Sequence, residues 1–80
     1  MMARYYLHQR CGGSEFPDEE GQDCPSVEAA RMRAIVGIRS ILADEILHGY
    51  MILDQRIDIC DERGARVATV PFSEAFELRH

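Results

Sequence analysis

The chain has no lysine, only three prolines and only three cysteines among its 80 residues. The cysteines, Cys11, Cys24 and Cys60, form an odd set without a Cys-x-x-Cys pair, which argues against a disulfide framework and fits reduced thiols. No stretch approaches the roughly 18 consecutive apolar residues of a membrane-spanning helix. The apolar start breaks at His8, too early for a secretory signal, so the expected location is the cytoplasm. All nine basic residues are arginine, spread from Arg4 to Arg79 rather than gathered on one segment. With a formal net charge of −5 the chain repels phosphate backbones, and nucleic acid is not an expected partner. A phosphate-binding loop is missing too, because Gly12-Gly13 leads into a short strand rather than a helix.

What is present is a folded composition, 46% hydrophobic and 29% charged, which disordered chains do not show. A chain of this length buries only roughly 60–65% of its unfolded surface. Stability of a few kcal/mol is then all it commands without help such as oligomerisation.

The sequence predicts a small α+β domain, ββαββ, with an antiparallel sheet and one long helix packed on one face. The first hairpin spans 4–17: Arg4–Gln9 reads as a strand around Tyr5, Tyr6 and Leu7, Gly12-Gly13 as the turn, and Ser14-Glu15-Phe16 as a short return stopped by Pro17. An acidic loop, Asp18 to Asp23, leads to Pro25 and a helix over 26–48, with Ser26 as N-cap, Glu28 in the first turn and Gly49 past the end. The second hairpin spans 56–71. Ile57 and Ile59 alternate with Asp58, Asp61-Glu62-Arg63-Gly64 suits a type I turn, and Pro71 ends the return. Phe72, Ala75, Phe76 and Leu78 fit a short C-terminal helical turn on the core.

The helix is the unusual element, because it carries two apolar stripes. On the wheel, Val27, Ala30, Ala34, Ile35, Ile38, Ile41 and Leu42 form one broad face for covering a sheet. Ile38 and Leu42 are expected deepest, against the strands that carry Leu7, Ile57 and Ile59. Nearly opposite lie Met32, Val36, Ala43 and Leu47, with Ala29 beside them, where a surface helix normally shows charge. Contiguous exposed apolar patches mark interaction sites. These four are therefore the candidate interaction surface, for a second copy or another protein.

Other chemistries are thinner. His8 and Cys11 are three apart and Cys24 follows, but a zinc site wants two close pairs and would still need Cys60 or His48 to arrive by folding; no metal is expected. Asp18, Glu19, Glu20 and Asp23 lack the alternation and distal Glu of a calcium loop. His8 is the candidate centre of any ligand site, with Asp18 or Cys11 as conceivable partners, yet no motif fixes a catalytic constellation. No enzyme activity and no cofactor are expected.

Tyr5-Tyr6-Leu7-His8, Gly12-Gly13, Pro17-Asp18-Glu19-Glu20-Gly21, Ser26 with Glu28-Ala29-Ala30-Arg31, Asp61-Glu62-x-Gly64 and Val70-Pro71-Phe72-Ser73-Glu74-Ala75 together resemble a family of short uncharacterised alphaproteobacterial proteins, a domain of unknown function. The resemblance covers nearly the whole chain and implies no activity and no site residue. A second likeness is to the antitoxin half of Hic-type toxin–antitoxin pairs, where a sheet and a Pro-Gly-bearing segment precede a helix opening with Ser/Thr and an acidic-Ala stretch. Glu19-Glu20-Gly21 lacks that proline and no DNA-binding segment follows. The likeness implies at most an antitoxin-like or regulatory binding protein.

Overall fold

The computed structural model describes residues 1–79. Three strands, β1 (Ala3–Cys11), β2 (Ser14–Phe16) and β3 (Gln22–Cys24), precede the helix α1 (Val27–Leu47). After it come β4 (Gln55–Cys60), β5 (Arg66–Pro71) and a 3-10 turn, Phe72–Ala75. Among the described residues the fold is α+β, an antiparallel sheet of five strands with one helix. The element order corrects the sequence expectation by one strand, because β3 arises inside what reads as an acidic loop.

Strand order is β2-β1-β4-β5, with β3 also paired to β1. β2 lies along the end of β1 (Gln9↔Phe16, Cys11↔Ser14), and β3 along its start (Ala3↔Cys24, Tyr5↔Gln22). Between them residues 17–21 loop away from the ladder, and Asp18 holds the loop to it. Its carboxylate accepts the Leu7 N–H at 3.2 Å and the Gly21 N–H at 3.0 Å, while its own N–H donates to His8 Nδ1 at 3.0 Å. The chain re-enters β3 at Gly21, whose φ is +73° and whose added Cβ would stand 2.9 Å from Tyr6 Cε1 and 3.0 Å from Tyr5 O. Only glycine fits that conformation and that space together.

The helix begins where its cap chemistry places it. Ser26 is extended and its Oγ accepts the Ala29 N–H at 3.1 Å, satisfying one of the free donors of the first turn. It ends at His48, followed by Gly49 at φ +91°, the left-handed residue that commonly closes a helix. Ala30, Ala34, Ile38 and Leu42 are buried and cluster with Ile57, Ile59, Val70, Phe72, Ala75 and Cys24. Val27, Ile35 and Ile41 are half-buried at the margins. Each fully buried Ile, Val or Phe of this core contributes roughly 1.5–3 kcal/mol. The 3-10 turn closes the core with Phe72 and Ala75, but Leu78, expected to pack there, is 81% exposed. The turn ends at Ala75 and Phe76 is extended, so the chain leaves the core before Leu78 can reach it.

Away from α1, the sheet is organised by a carboxylate. Asp58 is buried although it alternates with Ile57 and Ile59 and so points to the opposite side. Its register neighbours are His8 on β1 and Thr69 on β5. Thr69 Oγ1 donates to Asp58 Oδ1 at 3.0 Å and Arg56 Nε at 3.2 Å. Arg10 Nε lies 2.8 Å from Oδ2, an ion contact whose angle falls short of a hydrogen bond. Burial alone would raise the Asp58 pKa; the Thr69 hydroxyl and the Arg56 and Arg10 guanidiniums outweigh it and hold the carboxyl below its ordinary value. Asp58 also separates Arg10 from Arg56, which face each other across the ladder.

Candidate interaction surface

Both stripes of α1 find different surroundings. The core stripe is covered, while Met32 is 59%, Val36 61% and Leu47 85% exposed, and Ala43 is exposed with them. All four candidate residues therefore lie on one free face of the helix, pointing away from the sheet. Ile46, on the neighbouring row, is exposed as well.

The surface continues past the helix in the segment between α1 and β4. Tyr50, Met51, Ile52 and Leu53 are all exposed, although the backbone beneath them is firmly anchored. Glu45, on the core side of α1, is buried and accepts the Ile52 N–H at 2.9 Å and Gln55 Nε2 at 3.0 Å. Gln55 Nε2 also reaches Ile52 O at 2.7 Å, and Gln9 Nε2 donates to Gln55 Oε1 at 2.8 Å. Tyr50 N–H donates to Glu45 O at 3.1 Å. Polar groups thus hold the loop from within while four large apolar side chains face solvent. The signal was visible in the sequence as an apolar run between helix and strand that neither a helical nor a strand period could bury.

Two grooves flank the outer face. One, with a cavity volume of about 480 Å³, runs between α1 and the β1–β2 edge past Phe16, Pro17, Gly37 and Ile41. The other, about 490 Å³, is lined by Gln22, Met32, Arg33, Val36 and Gly37. Arg33 Nη1 donates to Gln22 Oε1 at 3.1 Å, and both residues line both grooves, so this bond forms the ridge between them. Gly37, without a side chain, lets the two run close together.

The other candidate groups are dispersed. His8 and Cys11 differ by an odd number of residues on β1 and so project to opposite sides of the sheet, which separates the close pair on which a zinc reading rests. Cys24 is buried in the core, and Cys60 lies opposite Tyr6. Burial, reinforced by the charges of Asp58 and Asp61, pushes the Cys60 thiol pKa up, away from a reactive thiolate. Among the described residues no group of three or more His, Cys, Asp or Glu side chains is placed to hold a metal ion. His8 stacks on Tyr6 with ring centroids 6.3 Å apart and spends Nδ1 on the Asp18 N–H; it lines neither groove. Asp18 acts as a turn-builder, its carboxylate taken up by backbone N–H groups. No described helix is long and apolar enough to cross a membrane.

A family profile described as Domain of unknown function (DUF6894) matches residues 4–73. The chain belongs to that family. The match runs from β1 through the start of the 3-10 turn and so takes in α1, both grooves and the apolar segment after the helix. No curated protein and no solved structure matches the chain.

Proposed function

We propose that this DUF6894 protein is a protein-interaction module that self-associates in the cytoplasm through the outer face of α1. The observation that carries the reading is the exposure of Met32, Val36 and Leu47 on one helix face, continued by Ile46 and the Tyr50–Leu53 segment. Single exposed apolar residues are ordinary, but a run of them on one face and its adjoining loop is the pattern of an interface. The cost of the arrangement supports it further. Glu45 and Gln55 bury polar groups to fix a loop that then adds nothing to the core. The three free cysteines support a reducing compartment.

An antitoxin-like role would use the same face for a foreign protein. A ligand site at His8 is less well supported, because its Nδ1 is already engaged by the Asp18 N–H. Light scattering over a concentration series tests the reading. The wild type is expected to approach twice the 9.1 kDa of one chain at high micromolar concentration, and Leu47→Glu to stay near one chain while keeping its helical circular dichroism. A wild type that remains monomeric throughout removes self-association.

A further inference from the structure

We infer that two copies pair through α1 in antiparallel register, about a two-fold axis that crosses the helix between Val36 and Arg39. This rests on the self-association reading above and specifies its geometry. Along the outer side of α1, Ala29, Met32, Val36, Arg39, Ala43 and Ile46 follow at alternating spacings of three and four, with Leu47 beside Ala43 on the same face. That is the a/d repeat of a helix that packs along another helix. All are exposed except Ala29, which is half-buried at the start of the row and also touches the edge of the core.

Sizes along the row decide direction. In the antiparallel register Met32 meets Ala43 of the second copy, Ile46 meets its Ala29, and Val36 meets its Arg39. Met32 and Ile46 thus each face an alanine, and by symmetry every contact occurs twice. A parallel pair would set Met32 on Met32 and Arg39 on Arg39, with a void where alanine meets alanine. Arg39 does not spoil the seam, because its Nε donates to Ala75 O at 2.7 Å. The guanidinium is drawn toward the 3-10 turn, and the methylene stem is what Val36 meets.

Charge agrees with size. On one flank of the seam the same register carries Arg33 to within about one helical turn of Asp44 of the second copy, and both residues are exposed. Antiparallel helices also set opposite dipole ends side by side. The second copy of this chain therefore fits the face in both size and charge.

The experiment uses two variants that each spoil the seam and repair one another only in this register. Met32→Glu and Ala43→Arg sit at exposed positions, and circular dichroism confirms that each folds. Each alone is expected to weigh as a monomer at concentrations where the wild type is a dimer. Mixed in equal amounts they are expected to form the heterodimer, because the introduced carboxylate then faces the introduced guanidinium at one crossing and Met32 faces Ala43 at the other. Recovery of the dimer mass in the mixture supports the register. A dimeric wild type whose mixture stays monomeric overturns the register and leaves self-association standing; a monomeric wild type overturns both.

Discussion

The two faces of α1 are built from similar apolar residues and have opposite surroundings. Toward the sheet, Ala30, Ala34, Ile38 and Leu42 are buried and packed against β4, β5 and the 3-10 turn. Away from it, Met32, Val36, Ala43 and Leu47 are apolar and uncovered. Apolar character is therefore a poor guide to burial here, and position around the helix decides. A helix with one apolar stripe needs only its own domain, whereas this one leaves a second surface unsatisfied.

The comparison breaks first at the core. Leu42→Ala and Ile38→Ala each remove a buried side chain and leave a cavity, and should cost about 2–5 kcal/mol. For a domain whose total is only a few kcal/mol, chemical denaturation should show a large loss of the folded fraction at room temperature. Asp58→Ala comes next, at about 1–3 kcal/mol, because the Thr69 hydroxyl, Arg56 Nε and the buried Arg10 Nε lose their carboxylate partner while both half-exposed guanidiniums stay solvated. Since the folded Asp58 pKa lies below its unfolded value, its stabilisation is fully present above the ordinary aspartate range and fades as pH falls through the folded value. The stability gap between wild type and Asp58→Ala should therefore be widest near neutral pH and close in acid; a gap that widens in acid would contradict the ion-pair account.

Glu45→Ala should cost about 1–3 kcal/mol by leaving the Ile52 N–H without its acceptor and the Gln55 amide with Ile52 O alone. Amide hydrogen exchange should speed up locally at Tyr50–Leu53, and unchanged exchange there would mean that the loop is held by something else. Val36→Ala, on the free face, should change the stability of the isolated chain by no more than about 0.5 kcal/mol. A Val36→Ala loss as large as that of Leu42→Ala would reverse the two faces.

Much of this was legible in the residues. Ser26 before Val27, Gly49 past Leu47 and Gly64 closing the Asp61 turn are local signals, because capping and turn chemistry act over three or four residues. The two stripes of α1 follow from spacing alone. β3 was hidden because its pairing is not local: Gln22-Asp23-Cys24 is too short and polar to announce a strand, and it forms because β1 is nine residues long and β2 covers only its end. The buried role of Glu45 was hidden for a similar reason. Its acceptors serve Ile52 and Gln55, which a helical wheel never brings near. Asp18 reads from the sequence as an acidic-loop charge and a conceivable partner of His8; the folded ladder joins the two through the Asp18 N–H and shows its carboxylate filling the gap beside Leu7.

The central claim, that the outer stripe of α1 is a contact surface and the inner one is core, is tested most directly by methyl NMR over a dilution series. Signals of Met32, Val36, Ala43 and Leu47 are predicted to move together with concentration, while those of Ile38 and Leu42 stay fixed. Concentration-dependent shifts at some other surface, with the outer stripe unmoved, would contradict the account.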